Sequence, residues 1–162
     1  MNNTLISIVG PTGIGKTALS LEIAKHFQTE IISADSRQFF KEIPIGTAAP
    51  TTKELQTIKH HFIHNKSITE SYSVGDFEKE AIDCITSIHK RKPIVVMVGG
   101  SGLYVNAVLN GLDEFPKVDP KIREKLNNEL SNNGIDKLQE ELKILDLKSY
   151  NSIDLNNSHR LI

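Results

Sequence analysis

Eight consecutive residues near the start of the chain have the types and spacing that hold a phosphate group. They fit the P-loop pattern G-x-x-x-x-G-K-[ST], in which glycines let the backbone curl so that N–H groups point at phosphate oxygens. The lysine adds a mobile positive charge, and the threonine hydroxyl suits Mg²⁺. The matching residues are Gly10, Pro11, Thr12, Gly13, Ile14, Gly15, Lys16 and Thr17. The pattern leaves the ligand open between ATP, GTP and a lipid pyrophosphate.

Two further polar segments follow apolar runs, at positions where open α/β sheets bind ligands beyond the carboxyl ends of their strands. The first is Asp35-Ser36-Arg37-Gln38. Asp35 can serve as a general base, as a metal ligand through water or as a cap of the next turn. The second, Gly99-Gly100-Ser101-Gly102, is either another anion-binding loop or a tight turn without a ligand.

Apolar periodicity places these segments in a predicted α/β core at residues 1–111. The predicted strands are 5–9, 31–34 and 94–98, with an extended segment within 61–68 and a loop at 41–52. The predicted helices are 16–27, 76–90 and 103–109, with Asp76 as a candidate N-cap. Residues 112–162 are rich in Lys, Glu, Asn and Leu and predict a helical appendage with a break near Gly134.

Bulk composition narrows the class of protein. The chain has 162 residues and a net charge of -1, which argues against indiscriminate nucleic-acid binding. Its single cysteine excludes an intramolecular disulfide framework. No apolar run reaches the roughly 18–20 residues of a membrane span, and residues 1–9 lack the features of a signal peptide. We therefore expect a cytoplasmic protein without a membrane partner.

Other polar residues give weaker signals. His60 and His61 are adjacent and lack partners at metal-ligand spacing, so a metal site is not predicted there. Cys84 lies on the apolar face of a predicted helix, as core residues do. Lys121, Arg123 and Lys125 form a small basic group at a helix start, a pattern typical of a solvated face.

Taken together, these motifs resemble one family, the bacterial tRNA dimethylallyltransferases, also called tRNA isopentenyltransferases. The resemblance spans residues 8–162 and rests on an ordered set of segments, which is far more specific than a P-loop alone. Besides the P-loop, the segments are Asp35–Gln38, Ile45–Thr51, His60–Ile63, Val98–Tyr104, Asp119-Pro120 with Arg123, and Asn157–Arg160.

The resemblance implies a fold and a reaction. The fold is α/β, a P-loop NTPase-like parallel sheet core flanked by helices, with a helical insertion or appendage. The reaction transfers the dimethylallyl group of dimethylallyl pyrophosphate to N6 of the adenosine adjacent to the anticodon of tRNA. Pyrophosphate is released and Mg²⁺ assists. The expected enzyme is a cytoplasmic monomer.

The resemblance also implies roles for individual residues. Asp35 is the base that accepts the proton of the attacking amine. Lys16, and Mg²⁺ held by Thr17, stabilise the leaving pyrophosphate. The residues implied to contact the tRNA anticodon stem-loop are Asp35, Ser36, Arg37, Gln38, Ser101, Arg123, His159 and Arg160.

Three departures from the family pattern affect these expectations. Ser101 stands where the family usually has Thr, which keeps the hydroxyl. Ala49 stands where the family usually has Lys, which puts a phosphate contact there in doubt. The chain is also short for the family, so we expect an N-terminal portion that keeps the pyrophosphate site, lacks part of the RNA-binding surface and has uncertain activity.

Three other functions share parts of the same pattern. One is a prenyltransferase acting on free adenine nucleotides, which competition between AMP and tRNA would separate. Another is a small-molecule P-loop kinase, which would transfer phosphate from ATP without a prenyl donor. The third is an inactive phosphate-binding module, which would bind pyrophosphate without turnover.

Overall fold

Four short parallel strands form the centre of the first part of the chain, in the order β1-β4-β2-β3. Their bounds are β1 Thr4–Val9, β2 Ile31–Ser33, β3 His60–His61 and β4 Ile94–Gly99. This computed structural model describes residues 2–112 and 118–162. Residues 113–117 of the predicted appendage lie outside the described residues.

Eight helices occur in the described ranges, four in residues 2–112 and four in residues 118–162. Those in residues 2–112 are α1 Lys16–His26, α2 Thr52–Thr57, α3 Val74–His89 and α4 Gly102–Asn110. Those in residues 118–162 are α5 Pro120–Asn133, α6 Ile135–Leu145, α7 Leu147–Tyr150 and α8 Ser158–Leu161. Residues 2–112 and 118–162 form separate compact units. The division into two domains at 111/112 stays a prediction.

Consecutive strand residues point to opposite sides of the sheet. Because both sets of side chains are apolar, helices cover both faces. Ile31 and Val96 pack with Leu21 and Ala24 of α1 on one face. Ile32, Val95 and Met97 belong to the larger cluster on the other face. That cluster also holds Phe77, Ala81 and Ile88 of α3, Val105 of α4, and Phe39 and Phe62. A parallel sheet flanked by helices confirms the predicted α/β fold.

Phe39 anchors the polar segment that follows β2. Its ring is 1% exposed and stacks on the ring of Phe77 with 5.2 Å between centroids. Because Phe39 comes directly after Gln38, burial of this ring fixes the backbone that carries Asp35 to Gln38. Aromatic stacking of this kind adds stability beyond the buried area.

The structure corrects three local predictions. Ser73, not Asp76, is the N-cap of α3; Asp76 occupies N3 of the same capping box, where its carboxylate accepts from the Ser73 N–H. The extended segment within 61–68 is reduced to the two-residue β3, with an isolated bridge between Phe40 and Lys66. The predicted loop at 41–52 ends at α2, whose Thr51 and Glu54 form another capping box.

In the second unit, α5 and α6 meet at Gly134, the predicted break. Gly134 has φ 79° and ends α5 as it begins α6. Asp119 caps α5, accepting from the Lys121 N–H, and Pro120 follows in the first turn, where a missing N–H costs nothing. Glycine tolerates this positive φ, so α5 and α6 are two successive helices rather than one.

A buried carboxylate ties the amino end of β2 to its neighbours. Glu30 accepts from Arg91 at 2.8 Å and His61 at 2.7 Å and lies 3.3 Å from Lys59 Nζ. Burial raises the pKa of Glu30, but its hydrogen bonds with His61, Arg91 and Lys59 outweigh that effect and lower it from 4.5 to about 2. The folded state therefore holds Glu30 ionised.

This cluster predicts a pH-dependent stability. Since the folded pKa of Glu30 lies below the unfolded value of 4.5, its contribution is present above about pH 4.5 and is lost as the pH falls toward 2. We expect Glu30→Gln to lower the free energy of unfolding by about 1 kcal/mol at pH 7. Urea unfolding from pH 7 to pH 3 should show this deficit shrinking. Glu22→Gln, on the exposed face of α1, is the control; a pH-independent deficit would contradict the assignment.

The carboxyl ends of β2 and β4 touch at Gly99. A Cβ added there would collide with the backbone carbonyl of Ala34. The Ala34 N–H also donates to the Val98 carbonyl at 2.8 Å. Only a residue without a side chain allows this contact, so Gly99 sets the spacing between the two loops that follow these strands.

We expect Gly99→Ala to destabilise the protein by about 1–3 kcal/mol, as other overpacking substitutions do. Gly102→Ala is the matched control, because nothing lies within 4 Å of a Cβ at that position and alanine favours a helix. Urea midpoints by circular dichroism compare the two variants. Equal midpoints would show that the Gly99 contact can relax freely.

Candidate active site

The P-loop leads into the start of α1, where the backbone N–H groups of the first turn have no side-chain cap. Gly13 and Gly15 have φ of 86° and 94°, a region that side chains disfavour. Gly15 is the N-cap of α1 and offers no side chain to its first turn. The first-turn N–H groups and the positive end of the helix dipole are thus available to an anion.

Lys16 supplies the positive charge of this loop. Its Nζ donates to the Pro11 carbonyl at 2.7 Å, across the loop. The ammonium is thereby held above the glycine backbone rather than extended into solvent. A phosphate oxygen at this place would accept a charge-assisted hydrogen bond, which is stronger than a neutral one.

A cavity of about 350 Å³ opens above the P-loop, and we call it the main cavity. Its floor includes Lys16 and Thr17, and its wall includes Asp35 and Gln38. The structure therefore brings the predicted phosphate-binding and catalytic residues to one place. Thr12, Gly13 and Gly15 of the loop also line the main cavity.

Asp35 and Lys16 converge on Gly100. A Cβ at Gly100 would lie 3.9 Å from Asp35 Oδ2, 4.0 Å from Lys16 Nζ and 3.5 Å from the Gly10 carbonyl oxygen. The other carboxylate oxygen, Oδ1, accepts from the Arg37 N–H at 3.1 Å. A negative and a positive group thus face the same small space, which suits a reaction that separates an anion and moves a proton.

Ser101 joins the loops that follow β2 and β4. Its Oγ accepts from the Ser36 N–H at 3.0 Å and donates to Ser36 Oγ at 3.2 Å. Next to this pair is a second cavity of about 200 Å³, the side cavity, which is lined by Asp35, Arg37 and Ser101. Thr12, Asp35 and Ala48 line both cavities.

Gln38 braces the turn at residues 44–48 against the end of β2. Its Nε2 donates to the carbonyls of Thr47 and Ala48, both at 3.3 Å. Its Oε1 accepts from Ser33 Oγ at 3.1 Å. Because all amide atoms are engaged within the protein, Gln38 shapes the wall that both cavities share.

Glu54, His60 and Ile63 are among the main-cavity residues to which the sequence analysis assigns no role in the site. The Thr51-x-x-Glu54 pattern is a capping-box signal that locates α2, and so Glu54, from sequence. The His60 Nδ1 lies 2.8 Å from the Ile58 carbonyl oxygen. Because a carbonyl oxygen only accepts, Nδ1 carries a proton in this hydrogen bond. Burial lowers the pKa of His60, and its buried Nε2 has no hydrogen-bond partner within the described residues.

The remaining predicted residues belong to the second unit. Arg123 is exposed on α5, and His159 and Arg160 are exposed on α8. Arg160 is in the last helix before the end of the chain. Their implied contacts with tRNA stay predictions, as do the roles assigned to the residues of the cavities.

Within residues 2–112 and 118–162, no three His, Cys, Asp or Glu side chains gather as a metal-binding group. Across the same ranges, none of the helices has both the length and the apolar character needed to cross a bilayer.

The parallel sheet, the P-loop and the carboxylate beside it define a P-loop α/β protein with a site suited to a phosphate ester. The family model described as IPP transferase matches residues 38–162. The chain belongs to this family. The match begins after the P-loop, so it is independent of that motif.

Individual relatives agree with the family. The chain is 57% identical over 162 residues to the tRNA dimethylallyltransferase of Christiangramia forsetii, covering all of this chain and 54% of the relative. The tRNA isopentenylpyrophosphate transferase of Bacillus halodurans has a similar structure, with 38% identity, a TM-score of 0.68, and coverage of 99% of this chain and 53% of the other. A eukaryotic dimethylallyltransferase acting on tRNA is 28% identical with a TM-score of 0.82, covering 99% and 40%.

The chain spans about half the length of the curated relatives it matches. The half that it shares includes the P-loop, both cavities and the sheet that positions them. The part of those relatives that the match leaves out has no counterpart in the described residues.

Lys16 gives a direct test of the site. We expect Lys16→Met to weaken pyrophosphate binding roughly ten- to hundredfold, since a hydrogen bond to a charged group contributes about 1.5–3 kcal/mol. Isothermal titration calorimetry measures the affinity. Lys25→Met, exposed in the last turn of α1, controls for the loss of one charge. If both variants weaken binding equally, general electrostatics rather than the loop holds the anion.

Proposed function

We propose that the protein transfers a dimethylallyl group from dimethylallyl pyrophosphate to N6 of the adenosine adjacent to the anticodon of tRNA. The observation that carries this proposal is the position of Asp35, which lines both the main and the side cavity. A transfer reaction needs two reactants on either side of one reacting centre. The names of the relatives, tRNA dimethylallyltransferase and tRNA isopentenylpyrophosphate transferase, support the same chemistry.

The pyrophosphate of the donor fits the P-loop end of the main cavity. Backbone N–H groups and Lys16 can stabilise negative charge that develops as the allylic C–O bond breaks. The dimethylallyl group would occupy the remainder of the cavity, where Ala48, Pro50 and Ile63 supply apolar surface. Because charge stabilisation is fixed in advance, it favours the transition state over the intact donor.

Mg²⁺ fits the donor set of this site. Thr17 and Asp35 place oxygen atoms in the main cavity, and Mg²⁺ prefers oxygen ligands, often few from the protein, completed by phosphates and water. Thr17 Oγ1 would hold the ion. When bound, Mg²⁺ supplies further neutralisation of the leaving pyrophosphate.

The adenine fits the side cavity. To enter it, the base must leave its stack, as bases do in other enzymes that modify them. Its N6 would then approach Asp35, and a carboxylate within hydrogen-bond reach accepts the proton that the amine loses. Arg37, exposed on the rim of this cavity, offers a cation to the RNA backbone. We expect the enzyme to act as a monomer in the cytoplasm.

The proposal is tested with the protein expressed from its complete gene, with labelled dimethylallyl pyrophosphate, Mg²⁺ and unmodified tRNA. Label should appear in the adenosine beside the anticodon. Transfer to AMP instead would favour the nucleotide prenyltransferase, and phosphoryl transfer from ATP without a prenyl donor would favour a kinase. The 162-residue chain assayed in parallel measures whether this part alone turns over or only binds pyrophosphate.

Asp35→Asn tests the proposed base. The amide cannot accept the proton, so we expect kcat to fall on the order of 10²–10⁴-fold, the usual contribution of a positioned general base. Binding of pyrophosphate should change little. Asp83→Asn, exposed on α3, is the control. A variant that retains the wild-type kcat would remove Asp35 from the proton transfer.

A further inference from the structure

Three exposed apolar side chains lie close in sequence to residues that line the two cavities. In the first unit, Ile45 is 95% exposed, Ile14 68% and Leu103 60%, which with Val9 are the highest values among its described large hydrophobic residues. Ile14 lies between Gly13 and Gly15 of the main cavity; Ile45 precedes Gly46, and Leu103 follows Ser101-Gly102, beside the side cavity. We call these three residues the apolar rim.

Ile45 is held outward by a braced turn. Thr47 Oγ1 donates to the Pro44 carbonyl at 3.1 Å, and Gln38 Nε2 binds the carbonyls of Thr47 and Ala48. The turn is thus fixed at its base, while the side chain at its tip contacts almost nothing. Single exposed hydrophobic residues are common, but several of them beside cavity-lining residues suit an interaction surface.

The charges beside the apolar rim narrow the kind of partner. Lys16 lines the main cavity and Arg37 lines the side cavity. The surface beside the apolar rim therefore combines apolar and cationic groups. Single-stranded RNA loops present both complements, the flat faces of unstacked bases and the phosphate backbone. The net charge of these 162 residues is only -1, so apolar contact beside the local cations adds to an affinity that long-range attraction does not dominate.

We propose that the apolar rim binds the bases that flank the target adenosine in the tRNA anticodon loop, with Ile45 filling the stacking gap that the adenosine leaves. This inference rests on the function proposed above. Aliphatic side chains that enter a base stack stabilise its opened state in other nucleic-acid complexes. Ile45 therefore contributes to holding the adenosine outside its stack, while the side cavity receives the base.

The test uses the protein expressed from its complete gene and an anticodon stem-loop with 2-aminopurine in place of the target adenosine. Fluorescence of 2-aminopurine rises when the base leaves its stack, so one titration gives both affinity and flipping. The variants are Ile45→Ser and the apolar replacement Ile45→Leu. The control is Ile68→Ser, which is 59% exposed in the same unit and whose sequence neighbours line neither cavity.

We expect Ile45→Ser to bind the stem-loop roughly tenfold more weakly, in line with the loss of one stacking contact, and to give a smaller fluorescence rise. Ile45→Leu should retain both signals, and all variants should bind pyrophosphate with the wild-type affinity. Unchanged RNA affinity in Ile45→Ser, or an equal loss in Ile68→Ser, would overturn the inference. A wild-type protein that binds pyrophosphate but not the stem-loop would overturn the proposed function as well.

Discussion

The contact between Gly99 and the Ala34 carbonyl is the constraint on which the geometry of the site depends. It brings the ends of β4 and β2 so close that the loops after them share one space. Asp35 follows Ala34 by one residue, and Gly100 follows Gly99, so the carboxylate and the second glycine loop meet as a consequence. The hydrogen bonds of Ser101 with Ser36 then fix that meeting, 65 residues apart in sequence.

Some residues around this contact stabilise the fold, and others line the cavities. The buried aromatic rings of Phe39 and Phe77 and the capping box of Ser73 stabilise the fold without lining either cavity. Glu30 does the same at the amino end of β2, opposite the site in a parallel sheet. Glu30 therefore stabilises the end of the sheet opposite the site, whereas Phe39 and Gly99 hold the loops at the carboxyl ends, where the polar groups of the site lie.

The parts of the fold and the site that could be predicted from the sequence are those that a local pattern indicates. The P-loop is contiguous, so Lys16 and Thr17 follow from eight adjacent residues, and β-branched runs located β1, β2 and β4 closely. The cap of α3 was placed three residues late because Ser73 and Asp76 are both cap-type residues and share one box. Glu54 and His60 were missed as site residues, since their place in the main cavity depends on the path of the chain after the turn at 44–48.

The meeting of Asp35 with Ser101 depends on strand order, which no local pattern encodes. Both segments follow strands, so each was expected at the same edge of the sheet, but only the pairing of β2 with β4 makes them neighbours. The roles of Arg123, His159 and Arg160 depend on a resemblance over the whole chain. Nothing in the periodicity of α5 or α8 distinguishes these residues from other exposed cations.

The hydrogen bond from Lys16 to the Pro11 carbonyl affects which anions can bind at the P-loop, according to their charge. An ammonium that already has a partner gives up that hydrogen bond when an anion takes its place. A monovalent ion such as chloride gains little from the exchange, because one charge and no directed oxygens replace a good acceptor. A polyanion with several oxygens engages the ammonium and the helix N–H groups together. A polyanion is therefore expected to displace the Pro11 carbonyl from Lys16 more readily than a monovalent anion does.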